Sequence, residues 1–124
     1  MTDPIYGAPA ARSTYRKAAE VYPFLDAFIA KKEQEIAEIE QMVARYEKRR
    51  TAEEQAYRAL TGIRRLLAGR KPDHHLAVEY IHYVKKPLEK ARALRQEIEH
   101  ARAIQQTSSP TDVVEVSGEL AEIH

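Results

Sequence analysis

The sequence predicts an all-α protein, an elongated, coiled-coil-like antiparallel helical hairpin that dimerises into a helical bundle. Apolar residues recur at alternating steps of three and four between Ile36 and Leu67, the pattern of a helix that buries a narrow stripe. Strong helix formers (Glu, Lys, Gln, Ala and Arg) dominate the middle of the chain. A short turn at 69–73 separates two long helical patterns, and such a turn makes neighbouring helices run antiparallel.

The first arm is predicted to be a helix over residues 24–68, roughly 65 Å long at about 1.5 Å per residue. Two interpretations compete at Thr51. Thr51 and Glu54 have the spacing of a capping box, which would start a second helix there. Against a break, no Gly or Pro is near, and the apolar pattern keeps its phase from Tyr46 to Tyr57. We favour one continuous helix, with a bend near Thr51 as the alternative.

The second arm is predicted to be a helix over residues 74–106, after the turn at 69–73. Gly69 suits a left-handed helix C-cap, and Pro72 prevents the first helix from continuing. Pro87 lies inside the second helix. Because proline pushes the residue before it away from the helical region, a kink is expected just before Pro87.

Each arm carries a seam of residues that are predicted to pack. The seam residues are Ile36, Ile39, Val43, Tyr46, Tyr57, Leu60 and Leu67 in the first arm, and Tyr80, Val84, Leu88, Leu94 and Ile98 in the second. Arg50 and Glu53 interrupt the first seam. They either pair across a helix interface and fix its register, or mark the bend at Thr51. Because both stripes are narrow, pairing with a second copy would bury more apolar surface, which predicts a homodimer.

The two ends of the chain are predicted to be less regular. Residues 1–23 form an N-terminal arm, with a short helix that begins near Ser13 and is ended by Pro23. Residues 107–124 form a flexible acidic tail. Its valines at 113–116 suit a short strand, but one strand has no partner inside a helical hairpin, so it would dock on a neighbouring subunit or stay disordered.

The net charge of +1 conceals two strongly charged regions. Residues 44–71 carry +6 and residues 72–95 carry +2, whereas residues 24–43 carry −3 and residues 96–124 carry −5. A hairpin folded at the turn would therefore have a basic tip and an acidic open end. The basic residues predicted to contact a partner are Arg45, Arg49, Arg58, Arg64, Arg65, Arg70 and Lys71.

The predicted function is a non-catalytic assembly, adaptor or scaffold subunit whose basic tip docks an acidic protein. The alternative is a nucleic-acid-binding subunit of a larger particle, which would contact phosphates through the same tip. Nothing in the sequence indicates an enzyme or a cofactor, since there is no Gly-rich phosphate loop and no serine accompanied by a His/Asp constellation. The absence of cysteine excludes disulfides and thiolate metal sites.

A metal-binding helical bundle is the third and weakest interpretation. His75, Glu79 and His82 fall at positions i, i+4 and i+7, and two imidazoles with one carboxylate can bind iron or zinc. These residues lie off the seam, so we favour surface histidines and no metal. No apolar run approaches the ~20 residues of a membrane span, and a cytoplasmic location without membrane contact is expected.

Overall fold

The computed structural model describes residues 13–69 and 71–123, and these are mostly helical, with one small sheet. The elements in chain order are β1 (Ser13–Lys17), α1 (Ala18–Arg58), α2 (Gly62–Ala68), α3 (Asp73–Tyr80), a π-helical segment (Ile81–Lys85), α4 (Lys86–Thr107), β2 (Val113–Ser117) and a 3₁₀ helix (Gly118–Glu122). The chain divides into two compact units. The first unit comprises Met1–Lys32 with Glu97–His124, and the second comprises Glu33–Gln96. Within the described residues, no helix is both long and apolar enough to cross a membrane.

The small sheet corrects the predictions for both ends of the chain. β1 and β2 pair antiparallel, from Ser13 opposite Ser117 to Lys17 opposite Val113. The short helix expected from Ser13 to Pro23 is wrong in its bounds: Ser13–Lys17 is a strand, and the helix that starts at Ala18 continues through Pro23. Thr and Tyr suit a pleated strand once a partner is present. The predicted strand in the tail pairs within its own chain, and Val116 is buried there. The loop predicted for residues 1–12 lies outside the described residues.

The first long helix begins at Ala18, six residues before the predicted start, and contains Pro23. The Ala18 N–H donates to the Asp112 carbonyl (2.8 Å), and the Ala19 N–H donates to the Pro110 carbonyl (3.0 Å). These bonds satisfy two of the four amides that every helix start leaves unpaired, so no side-chain cap is needed. Pro23 is the sixth residue of this helix and has no N–H to donate, so it removes one hydrogen bond of the helix.

The same helix is continuous through Thr51, as predicted, but it ends at Arg58 rather than at Ala68. Thr61 has extended backbone angles (φ −67°, ψ 162°), and a separate short helix, α2, starts at Gly62. Glycine costs about 1 kcal/mol relative to alanine inside a helix, so the break falls where continuation is least favourable. The predicted second helix is correspondingly assembled from α3, the π-helical segment and α4.

Pro87 distorts the second helical region in a different way from the predicted kink. Lys86 keeps helical backbone angles (φ −64°, ψ −46°), and its N–H donates to the carbonyl of Ile81, five residues earlier. Because proline has no N–H to donate, the preceding turn is a common place for the hydrogen-bond pattern to change. The structure thus absorbs Pro87 with a π turn over Ile81–Lys85.

Burial separates the predicted seam residues into three groups. Ile36, Val43, Tyr46, Val84, Leu94 and Ile98 are buried; Ile39, Tyr57 and Leu60 are half-buried; and Leu67, Tyr80 and Leu88 are exposed. In the second unit, Val43, Tyr46 and Val84 form one buried cluster, with Ile39 packed against them. Leu67 leaves the seam because α2 is a separate helix and no longer continues the helical phase of α1.

Candidate functional site

The segment between α1 and α3 is held by few contacts. The Arg65 guanidinium donates to the carbonyl of Arg58, at the end of α1 (2.6 Å), and so satisfies one carbonyl of that helix terminus. The Arg65 N–H donates to the Thr61 carbonyl and forms the first turn of α2 (2.9 Å). Gly69 follows the helix with a positive φ of 72°, a conformation that glycine adopts without strain. No residue of α2 is buried.

Three large apolar side chains of α2 are directed into solvent. Ile63, Leu66 and Leu67 are 73%, 85% and 81% exposed. Their spacing of i, i+3 and i+4 places them on one side of the short helix. Soluble proteins commonly expose single apolar residues, but a contiguous group of this kind is typical of an interaction site. We call these three residues the apolar ridge.

The predicted contact residues have different environments around the ridge. Arg49 lies 3.7 Å from Glu53, with its guanidinium 5.4 Å from the Tyr46 ring centre. Arg58 lies 3.5 Å from Glu54. Such exposed ion pairs are worth about 1 kcal/mol or less, so they leave a side chain able to exchange partners.

Four further predicted contact residues are Arg45, Arg64, Arg70 and Lys71. Among residues 13–69 and 71–123, Arg45 and Arg64 form no ion pair. Lys71 is held by Glu79 (2.7 Å), and Arg70 lies outside the described residues. Arg64 is therefore the most available cation beside the ridge, since it lies within α2 itself.

A polar cluster lies beside this segment in the second unit. The Lys71 ammonium donates to one Glu79 oxygen (2.7 Å), and the Tyr46 hydroxyl donates to the other (3.2 Å). The bond from Lys71 is the main reason why the pKa of Glu79 is lowered, and the same bond raises the pKa of Lys71. Burial, followed by the contact with Glu79, raises the pKa of Tyr46. The cluster therefore fastens Lys71 to the helices.

Arg50 and Glu53, which interrupt the predicted seam, contribute to the same region. They form an ion pair within α1 at 3.0 Å. Neither a bend at Thr51 nor a pairing with another helix is needed to explain them. Together with Lys71 and Leu76 they line part of a cavity of about 150 Å³. The four ionic side chains of the lining, Arg50, Glu53, Glu54 and Lys71, all take part in ion pairs.

The predicted metal residues do not form a binding group. Glu79 is engaged by Lys71 and Tyr46, whereas the His82 ring packs edge-on against Tyr83 at 4.8 Å. His75 lies beside His74, with ring centres 6.0 Å apart. Over residues 13–69 and 71–123, no set of three or more His, Asp or Glu side chains is arranged to hold a metal ion.

A second surface feature, which the sequence did not reveal, lies in the first unit. Phe24, Phe28, Leu120 and Ile123 contribute to an open apolar groove of about 210 Å³. The other lining residues are Ala27, Lys31 and Glu119. We call it the apolar groove. The tail was predicted to be solvated, but Leu120 is buried. The signal that could have indicated the groove is the spacing of Leu120 and Ile123, three residues apart.

Glu119 links the tail to α1 at the edge of the groove. Its carboxylate lies 3.1 Å from the Lys32 ammonium and 3.3 Å from that of Lys31. Burial raises the pKa of Glu119, but the hydrogen bonds from the two lysines lower it by more, so the net shift is downward. The Lys32 ammonium also lies 5.2 Å from the centre of the Phe28 ring. These contacts fix one wall of the groove.

Comparison with protein-family models, with characterised proteins and with solved structures gives no match to this chain. The functional interpretation therefore depends on the surface features described above.

Proposed function

We propose that this chain is a non-catalytic assembly or adaptor subunit, and that its apolar ridge, with the neighbouring arginines, docks an acidic protein partner. The observation that carries the proposal is the exposure of Ile63, Leu66 and Leu67 beside Arg64 and Arg65. Burying one such side chain is worth about 1.5–3 kcal/mol. A partner that covered the ridge would therefore gain substantial apolar stabilisation, and acidic residues at its rim would complement the arginines.

The proposed architecture is an antiparallel helical hairpin that assembles with other copies. Contacts in each unit support it. In the first unit, Tyr22 bonds to Ser108 (2.7 Å) and Asp26 to Gln105 (2.7 Å). In the second unit, Glu40 pairs with Arg95 (2.5 Å) and Tyr46 stacks on Tyr83 (5.0 Å). Within each unit, rising residue numbers on α1 meet falling numbers on the later segment, as antiparallel helices require.

The ridge favours a protein partner over a nucleic acid. Phosphate recognition uses cations and releases counterions, and aliphatic side chains contribute nothing to that exchange. Of the aromatic residues near this segment, Tyr57 is half-buried and Tyr83 is stacked on Tyr46, which leaves Tyr80 as the exposed ring for base stacking. A protein surface with apolar side chains and a rim of carboxylates would contact both the aliphatic side chains and the arginines of α2.

The proposal can be tested with a designed helical peptide that carries leucines on one face and glutamates beside them. A peptide with lysines in place of the glutamates is the control. Binding is measured by fluorescence anisotropy at low and moderate salt, alongside duplex and single-stranded DNA and RNA. We expect the glutamate peptide alone to bind, and Leu66→Ser/Leu67→Ser to weaken it at least tenfold, equivalent to about 1.4 kcal/mol.

The outcomes separate the two classes of partner. Nucleic-acid binding that falls steeply with salt, is lost in Arg64→Glu/Arg65→Glu and is unchanged in Leu66→Ser/Leu67→Ser would replace this proposal with phosphate recognition. Equal affinity for both peptides would contradict the acidic character of the partner. Failure of every probe to bind would contradict the proposed docking surface.

A further inference from the structure

The ridge and the groove are complementary features carried by one chain. The ridge is a convex set of three aliphatic side chains on a fully exposed helix, in the second unit. The groove is an open apolar depression in the first unit, formed partly by the rings of Phe24 and Phe28. Within the described residues, nothing covers the apolar ridge and nothing occupies the apolar groove.

We infer that the acidic partner of the ridge is the first unit of another copy of this chain, with the α2 ridge seated in the apolar groove. The inference rests on the proposed function, since it names the partner that the ridge docks. The lining side chains Phe24, Phe28 and Ile123 are apolar, so they favour an apolar occupant such as an aliphatic side chain.

The size of the groove suits this occupant. An apolar cavity of about 150 Å³ accommodates a benzene molecule, and the groove has about 210 Å³. It therefore has room for a branched aliphatic side chain such as that of Leu66 or Leu67. Because α2 is only seven residues long, its apolar ridge can enter the open groove without bringing a long helix into the contact.

The opposite total charges of the two units support the same pairing, while within the groove lining Lys31 and Glu119 are paired with each other (3.3 Å). The described part of the first unit contains eight acidic and five basic side chains, whereas the sequence of the second unit contains fourteen basic and ten acidic ones. Beside the ridge, Arg64 forms no ion pair with a described residue. Beside the groove, Glu122 likewise forms none within residues 13–69 and 71–123. These two side chains are the candidates to meet at the rim of the contact.

The geometry implies a heterologous contact. Each copy contributes its ridge to one contact and its groove to another, so each added copy leaves one free ridge and one free groove. Association then continues head to tail until a ring closes or the protein is depleted. An isologous dimer, by contrast, would use the same surface on both copies and would stop at two.

Complementation between two variants tests the inference. The ridge variant is Leu66→Ser/Leu67→Ser, and the groove variant is Phe24→Ser/Ala27→Lys. All four positions are exposed, so circular dichroism should show unchanged folding. Sedimentation velocity of the unmodified chain should show a mass that rises with concentration. Each variant alone should remain at the monomer mass of 14.2 kDa, and an equimolar mixture should form a complex of two chains and stop there.

Each alternative result has a distinct meaning. If the groove variant associates like the unmodified chain while the ridge variant does not, the groove assignment is overturned and the ridge still docks another surface. If the mixture stays monomeric, the head-to-tail contact is overturned. If the unmodified chain is monomeric at every concentration, self-association is overturned, and the glutamate-peptide titration then decides independently whether the proposed docking function survives.

Discussion

The tail segment of the first unit and α2 of the second unit differ in how they expose their large apolar residues. In the first unit, Val116 of β2 and Leu120 of the 3₁₀ helix are buried, as is Leu25 of α1. In the second unit, α2 exposes Leu66 and Leu67 almost completely. Both groups look equally suitable for a core in the sequence. Apolar periodicity therefore identifies a helix face but does not determine what covers that face.

A matched pair of leucine substitutions should show the largest contrast between the units. Leu25 is 0% exposed and Leu66 is 85% exposed. Leu25→Ala should lower the free energy of unfolding by about 2–5 kcal/mol, because it removes buried atoms and leaves a cavity. Leu66→Ala should change it by less than about 0.5 kcal/mol, as for an ordinary surface substitution. Urea denaturation followed by circular dichroism, at a concentration where the chain is monomeric, measures both. Equal losses of unfolding free energy for the two substitutions would contradict the difference in burial between Leu25 and Leu66.

A second matched pair tests the strand that joins the tail to the first unit. Val116 is buried and Val113, in the same strand, is exposed. Val116→Ala should cost about 2 kcal/mol, from roughly 0.8 kcal/mol per buried methylene plus a cavity contribution. Val113→Ala should cost under about 0.5 kcal/mol. If both substitutions are neutral in denaturant unfolding, β2 does not belong to the folded core.

The polar cluster of the second unit should give a smaller effect. Tyr46→Phe keeps the packed ring and removes the hydroxyl that donates to Glu79. The expected loss is about 0.5–1.5 kcal/mol of unfolding free energy, the usual contribution of one hydrogen bond. Tyr80→Phe is the control, since Tyr80 is exposed and forms no hydrogen bond with a described residue. A control effect as large as that of Tyr46→Phe would argue against the bond to Glu79.

The smallest expected effect is the dependence of stability on pH through Glu119. Its pKa is lowered in the folded state, so the carboxylate stabilises the fold above its unfolded pKa of about 4.3, and this contribution is lost as the pH falls through the folded pKa. Because the group is partly exposed, the contribution should be below about 1 kcal/mol.

Unfolding free energies measured from about pH 6 to pH 3 test this sign. Glu119→Gln should reduce the acid-induced loss of stability, whereas Glu122→Gln, which changes a carboxylate without an ion pair to residues 13–69 or 71–123, should not. If the loss is unchanged in Glu119→Gln, the lysine contacts do not lower the pKa of this carboxyl as described.

The helices were predictable from the sequence because their signals are local. The helix formers and the phase maintained from Tyr46 to Tyr57 correctly indicated a helix that continues through Thr51. The turn near Gly69 was likewise predictable, because the glycine and proline that form it are local signals. Its positive φ is what a glycine after a helix permits.

The sheet and the groove were not predictable in the same way, because their partners are distant in sequence. Ser13 pairs with Ser117, more than a hundred residues away. Neither segment contains a periodicity that indicates this pairing, so the sequence alone does not identify a partner for the strand in the tail. The early end of α1 at Arg58 depended on a weak local signal, Gly62, which competes with strong helix formers on both sides. The apolar ridge was not predicted either, because Leu67 was expected to lie on the seam of one continuous helix.

The mass of the unmodified chain in solution shows whether another copy covers the apolar ridge. Light scattering over a concentration series should give a mass that rises above 14.2 kDa, while Leu66→Ser/Leu67→Ser should remain at 14.2 kDa throughout with unchanged helicity. That result would show that the apolar ridge is covered by another copy rather than by its own chain. A constant mass of 14.2 kDa for the unmodified chain, up to its highest attainable concentration, would contradict the claim.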